Sequence, residues 1–312
     1  TNSLQKDQVL MTKQHIFDMA SLTKVMATLP AILQLVESGD IHLHDKVATF
    51  IPEFAKHQKS HITLKHLLTH SSGLIAHRPY FQRKLSTTEV LDDIFEEKLS
   101  YSLDGEVVYS DLGYILLMSV IEHVTGQSIE DYVQNHIFKP LGMMQTGYCP
   151  TYERHQYAPT EYLEHLMDHK YGIVHDDNTE FMGGVSGHAG LFSTMDDVSI
   201  FTTMLENDGS HNGKQILTSR WLAKSRENFT SFSTESRGLG WQLKGSGSSP
   251  IGDLMSDATY GHTGYTGTSF YIDPVEQLTV TLLTNRVYFG RQEPMIRLRP
   301  RLHNLIVSNL SE

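Results

Sequence analysis

Leu22, Val25, Met26, Leu29, Ile32, Leu33 and Val36 recur at intervals of three and four positions until Glu37-Ser38-Gly39-Asp40 breaks the pattern. That period predicts a buried helix opening near Asp18 to Ser21 and ending at Gly39, with Pro30 kinking it or loosening one turn. Residues 45–52 read as an irregular connection. Thr63 caps a short helix through Leu68, ended by Ser71-Ser72-Gly73, and Ser86 or Thr87 opens another to about Lys98. Ser110 or Asp111 opens a long helix running through Ile121 to Gly126, and Ser128 caps one through Phe138 that Pro140 and Gly142 stop. Thr194 with Asp197 forms a capping box for a helix ending near Asn207-Asp208-Gly209, and Thr218 starts one more.

The period changes after about Arg237. Residues 239–243, 267–272 and 278–284 are short runs rich in aromatic and β-branched residues, separated by Gly, Pro and Asp, and they predict adjacent antiparallel strands. Residues 245–249 read as a hairpin loop. A closing helix over 294–309 should press Ile296, Leu298, Leu302, Leu305 and Ile306 against that sheet. The order predicts an α+β fold: one α/β lobe from residues 1–48 and 235–312, and a mostly helical lobe from 49–234.

At 312 residues the chain can bury a large core, and its composition of 39% hydrophobic and 20% charged residues is that of an ordinary globular enzyme. No apolar run is long enough for an integral membrane segment; the densest, 25–36, carries Thr28, Pro30 and Gln34. A formal charge of −11, with Lys and Arg scattered apart from Arg297, Arg299 and Arg301, speaks against a nucleic-acid partner. Cys149 is the single cysteine, so no internal disulfide forms. Among 18 histidines, His66 and His70 stand four apart but lack the Glu of a zinc-protease motif, so no metal is expected. The glycine runs at 183–184 and 187–190 have no following lysine to make a phosphate loop, and no cofactor is implied.

Candidate chemistry begins at Ser21-Leu22-Thr23-Lys24. Three residues make about one helical turn, so a hydroxyl and an amine share one face at the mouth of a helix. Serine is a poor nucleophile without a base in reach, and Lys24 is placed to be one if burial or nearby charge depresses its pKa. Further along stand Tyr109-Ser110-Asp111, in a turn before a helix, and Gly261-His262-Thr263-Gly264-Tyr265, at the start of a strand.

With these three motifs in this order the chain resembles the penicillin-recognising serine hydrolases, whose pattern is S-x-x-K, Y-x-N and K-T-G or H-T-G. It resembles above all the branch of class C β-lactamases, DD-carboxypeptidases and related esterases. Residues 17–20, 67–74 and 187–193 support the likeness, which spans about residues 16–310. The resemblance implies a β-lactamase-like fold and an acyl-enzyme on Ser21. It assigns Lys24, Tyr109 and His262 to catalysis, Asp111, Thr263 and Gly264 to substrate binding, and the backbone of Tyr265 to the oxyanion, beside the Ser21 N–H. The base is left open between Lys24 and an ionised Tyr109. It also implies a helix and strands ahead of the S-x-x-K segment, where only twenty residues precede it here, and so predicts that part of the N-terminal fold is missing from this chain.

Two departures shape the expected substrate. Asp111 stands where Asn is common and, ionised, only accepts, so it should hold Lys24 protonated and disfavour a penicillin's acylamide. His262 stands for the commoner lysine, giving a partial positive charge at pH 7. Both argue against an efficient β-lactamase. The resemblance implies a small-molecule or peptidoglycan-derived peptide substrate, with DD-peptidase or muropeptide amidase activity ahead of a carboxylesterase or weak β-lactamase, and a non-turnover penicillin-binding sensor as the rival of another class. It implies an extracytoplasmic or cell-surface location in a bacterium, with the cytoplasm as the alternative; oligomeric state is left open.

Overall fold

A computed structural model describes residues 10–164, 167–247, 249–290 and 294–310. The first predicted helix forms in three gauges: a 3₁₀ turn at Ala20–Leu22, a π turn at Lys24–Thr28 and an α-helix at Leu29–Ser38. Proline explains the change. Pro30 has no N–H for the carbonyl of Met26, and the ladder widens just before it, with the Leu29 N–H reaching back to Lys24. The helix stops where Gly39 takes the left-handed φ of 84°. The same device recurs where Pro140 was expected to stop a helix. A π turn at Gln134–Phe138 precedes it, the proline sits inside the last turn Lys139–Leu141, and the Gln34 amide donates to the His136 carbonyl at 3.3 Å.

Helices at Leu64–Leu68, Thr87–Glu96, Asp111–Thr125, Met195–Glu206 and Ser219–Ser225 fall where the caps place them. The Thr194 box is one-sided: its hydroxyl accepts from the Asp197 N–H, but the Asp197 carboxylate turns away to the Gln145 N–H and the Thr146 hydroxyl. Residues 45–52 are more regular than expected, holding a short helix at Val47–Phe50 and the start of a 3₁₀ turn at Pro52–Ala55.

The strands are β1 Phe17–Asp18, β2 Gly147–Tyr148, β3 Tyr162–Leu163, β4 Asp168–His169, β5 Leu191–Ser193, β6 Ser210–His211, β7 Lys214–Gln215, β8 Gln242–Leu243, β9 Tyr260–Thr263, β10 Ser269–Asp273 and β11 Leu278–Leu282. The middle of the chain is therefore less helical than its pattern implies, since β2 to β7 lie in it. The main antiparallel sheet runs β11-β10-β9-β8. Its third strand, β9, separates the two runs expected to be neighbours, and places the His262-Thr263 motif at a strand's end rather than its start. A smaller sheet, β1-β5-β2, ties the segment before Ser21 to the Gly187–Gly190 loop.

One core joins sheet and helices. Leu29, Ile32 and Leu33 pack with Leu112, Ile115 and Leu116 of the long helix and with Trp241, Tyr260 and Phe270 of the sheet region, all 1% exposed or less. Each such side chain contributes about 1.5–3 kcal/mol by leaving water. In the closing helix, Pro294–Ser308, Ile306 packs against Tyr271 and Val280 of the sheet as expected, but Ile296 and Leu305 are 61% and 62% exposed, while Arg299 and His303 face inward. Hydrogen bonding decides this, because Arg299 donates to the carbonyls of Gly264 and Thr268, and His303 Nδ1 to that of Ile251. No helix among the described residues is long and apolar enough to cross a membrane.

Candidate active site

Ser21 lies at the junction of two recesses that share it, Tyr109 and Tyr265. The Asp18 carboxylate accepts from the Ala20 and His175 N–H groups at 2.7 and 2.6 Å, holding Ala20 at a left-handed φ of 47° just before the serine. Such a backbone costs a non-glycine residue about 1–3 kcal/mol and persists only where its surroundings impose it.

Lys24 is wholly buried below Ser21. Its ammonium donates to Ser21 Oγ at 3.3 Å, to Asp111 Oδ1 at 2.8 Å and to the His188 carbonyl at 3.1 Å, so all three protons have acceptors. Burial alone would lower its pKa, but the Asp111 carboxylate, by charge and hydrogen bond, together with the adjoining Tyr109 hydroxyl, outweighs burial and raises it. Asp111 responds in kind: although burial opposes ionisation, Lys24 and His188 hold its carboxyl well below the usual range. The resting site is thus an ammonium–carboxylate pair.

The Tyr109 ring lies between His70 and His262, with centroids 4.6 and 5.8 Å away, and Lys24 Nζ stands 4.7 Å from its centroid. Its hydroxyl is buried and interacts with Lys24 and Ser21, although neither contact reaches full hydrogen-bonding geometry. Burial raises its pKa and the nearby Lys24 only partly offsets that, so the phenol is neutral at rest.

His262 differs from expectation. It is 3% exposed, and burial together with Arg237 and Lys24 pushes its pKa down to about 3, so it carries no charge at neutral pH. Its Nδ1 lies 2.8 Å from the Thr263 carbonyl, which only accepts; the proton is therefore on Nδ1, and Nε2 presents a lone pair without a described partner. The positive charge on this side comes instead from Arg237, Arg286 and Arg299, which line a recess of about 300 Å³ with His262, Thr263 and Gly264. Arg237 is bonded to Glu235, and Arg286 Nε donates to the Tyr265 carbonyl. The opposite recess, about 250 Å³, is lined by Asp111, Asp176 and Asp177 with His77, His175 and His188.

Gly264 has a packing role besides the one expected of it. A Cβ there would stand 2.6 Å from the Met19 carbonyl, so the missing side chain lets the end of β9 close on the serine segment. β8 pairs with β9 only as far as Gly261, and His262 and Thr263 lie past its end.

The structure thus gathers Ser21, Lys24, Tyr109, Asp111, His262, Thr263, Gly264 and Tyr265 around one cleft. Sequence reasoning passed over Arg237, His77 and the carbonyl of His188. Arg237 had one available signal, its place at the change of period. His66 is spent capping its helix with Thr63, and His70 faces Tyr109, so the pair shares no common ligand point.

Residues 3–303 match the family model described as Beta-lactamase. A protein of Escherichia coli K12 named a putative D-alanyl-D-alanine carboxypeptidase is 33% identical over 323 residues, covering 93% of this chain and 74% of that protein. Two solved structures share the fold at 17% identity and a TM-score of 0.74: a penicillin-binding protein homologue from Caulobacter crescentus, covering 98% of this chain and 86% of its own, and a class C β-lactamase from Rhodobacter sphaeroides, covering 97% and 88%. A family match over nearly the whole length, joined by a relative this similar, makes the chain a serine hydrolase belonging to the β-lactamase family.

Proposed function

We propose that the protein is a DD-peptidase of cell-wall peptides that forms an acyl-enzyme on Ser21. One observation carries the assignment: the buried Lys24 amine reaches Ser21 Oγ at 3.3 Å on the floor of the cleft. In the resting state both potential bases, Lys24 and Tyr109, hold their protons. The acylating form is the site with one proton fewer, and it accumulates at alkaline pH. Ser21 Oγ attacks the scissile carbonyl as its proton passes to the deprotonated member of the pair, and the backbone N–H groups of Ser21 and Tyr265 receive the oxyanion.

The arginine recess supports a substrate ending in a free carboxylate, with the leaving residue over His262 and Thr263. Asp111, ionised beside the acyl side, disfavours the acylamide of a penicillin. This reading places the enzyme outside the bacterial cytoplasm, where peptidoglycan is found.

A fluorescent phosphonate should label the wild type and not Ser21→Ala, with both variants melting alike. Label retained on the alanine variant would refute the nucleophile. Parallel turnover of D-Ala-D-Ala peptides, muropeptides, chromogenic esters and nitrocefin should favour the peptides. Faster steady turnover of nitrocefin would favour a β-lactamase, of simple esters an esterase, and acylation without turnover a sensor.

A further inference from the structure

His70 is 1% exposed and holds a left-handed φ of 58°, an uncommon conformation for a side-chain-bearing residue. It follows the short helix Leu64–Leu68, and the chain from His70 to Ala76 forms a template for the segment that carries Tyr109. The His70 carbonyl accepts from the Val108 N–H at 3.0 Å and the Tyr101 hydroxyl at 3.3 Å. The Ser110 hydroxyl donates to the Ile75 carbonyl and the Asp111 N–H to that of Ala76, at 2.7 and 3.0 Å. Between these backbone links the Ser110 N–H donates to a side chain, His70 Nδ1, at 3.0 Å.

That bond fixes the tautomer. Nδ1 accepts, so the ring proton is on Nε2, which is buried without a described partner. The ring therefore gives up one hydrogen bond to keep the other, and its face lies against Tyr109 at 4.6 Å and Tyr114 at 5.3 Å. An imidazolium would lose the Nδ1 lone pair. Burial and the neighbouring positive charges of Arg237 and Lys24 keep the ring neutral against the weaker opposing pull of Asp111.

We infer that His70 is a positioning residue for the acylation step: its Nδ1 lone pair, facing the Ser110 N–H, sets the Tyr109-Ser110-Asp111 turn so that the tyrosine hydroxyl and the Asp111 carboxylate converge on Lys24 and Ser21. This rests on the proposed role of Ser21. His70 touches neither the serine nor the lysine by hydrogen bond; it acts through the turn. A shift of the turn by an ångström is enough to slow the chemistry about a hundredfold while leaving the substrate recesses in place.

The test uses His70→Gly and His70→Asn, which both tolerate the left-handed backbone, while only Asn restores an acceptor near Nδ1. On a neutral chromogenic ester, His70→Gly should lose about a hundredfold in kcat with KM within about threefold, and His70→Asn should come within about fivefold of wild type. Phosphonate labelling of Ser21 should slow in the same order. Equal kcat in His70→Gly and wild type, or an Asn variant that melts like wild type yet is as slow as Gly, would overturn the role. Should the glycine variant fail to fold, the Asn variant decides alone: within about fivefold of wild type supports the role, and a hundredfold loss refutes it. Absence of wild-type labelling at Ser21 would instead overturn the nucleophile assignment.

Discussion

Replacing Asp111 by Asn removes the charge that keeps Lys24 protonated. The two charged atoms are 2.8 Å apart, with Lys24 wholly buried and the Asp111 side chain 19% exposed. At that separation two unit charges attract by about 1.5 kcal/mol in bulk water and about 6 kcal/mol at an effective dielectric of 20. The substitution therefore lowers the Lys24 pKa, and at about 1.4 kcal/mol per factor of ten the lower figure alone makes proton loss from the site about tenfold easier. Burial, which already pulls that pKa down, then acts with less opposition, and Tyr109 is relieved of the same negative neighbour. Since kcat/KM reports protonation of the free enzyme, the ascending limb of its pH profile should move to lower pH by at least about one unit in Asp111→Asn. At pH 7 the acylating form should be at least about tenfold more abundant, so both neutral esters and penicillins should acylate about that much faster. Penicillins gain further from an amide that can donate to their acylamide carbonyl. Stopped-flow acylation of both proteins by an ester and a reporter cephalosporin, from pH 6 to pH 10, measures this. Superimposable ascending limbs would refute the claim that the Lys24–Asp111 pair sets the active protonation state.

The same variant should report on stability. Asp111, with its pKa depressed, contributes stability present above the unfolded carboxylate value and lost as pH falls; Lys24, with its pKa raised, contributes stability present below its unfolded value and lost as pH rises through the folded one. Urea melts should therefore show the wild type's advantage over Asp111→Asn widest between about pH 5 and pH 9, and an advantage that grows towards pH 3 would contradict the pair. His262 is neutral and its pKa is about 3, so kcat/KM for carboxylate-bearing and neutral substrates should follow the same pH profile from pH 5 to pH 8; a break near 6.5 confined to the carboxylate class would show a titrating His262. Gly264→Ala should cost about 1–3 kcal/mol of stability and slow phosphonate labelling of Ser21, because its Cβ meets the Met19 carbonyl, a backbone atom with little freedom to yield. Unchanged melting and labelling would mean that β9 approaches the serine segment less closely.

What was legible in the sequence follows from the range of each signal. Caps are local, so Thr63, Ser86, Ser110, Ser128, Thr194 and Thr218 mark helix starts correctly. The 3.6-residue period finds the Lys24-bearing helix but is blind to its gauge; of the two outcomes Pro30 foretold, a kink or one loosened turn, the structure shows the second, as a π turn. Strand β9 was not separated from the run that follows it, because Gly261 and His262 interrupt its apolar alternation, although Tyr260 beside them is a core residue. The closing helix misled for the opposite reason. Its apolar residues outnumber the places on the sheet, and Arg299 wins the buried face because two carbonyls, of Gly264 and Thr268, wait there for donors. Charge at His262 could not be read at all, since it depends on burial and on Arg237, distant in sequence and adjacent in space.

Opposite charge on the two walls of the cleft gives the proposed substrate a direction. Asp111, Asp176 and Asp177 line one side of Ser21, and Arg237, Arg286 and Arg299 the other. A substrate carboxylate about 4 Å from one uncompensated charge gains or loses roughly 1–4 kcal/mol, depending on how wet the cleft remains. Existing pairs reduce the net charge of both walls: Lys24 answers Asp111, Lys170 pairs with Asp177 and Glu235 meets Arg237. Even the lower figure, counted once for attraction and once for the avoided repulsion, favours one orientation over its reverse by about thirtyfold. The scissile carbonyl then meets Ser21 with its leaving group towards His262 and Thr263. The neutral His262 suits this arrangement, because fixed guanidinium charges hold a carboxylate at any pH where the enzyme is folded, whereas an imidazolium would hold it only in acid.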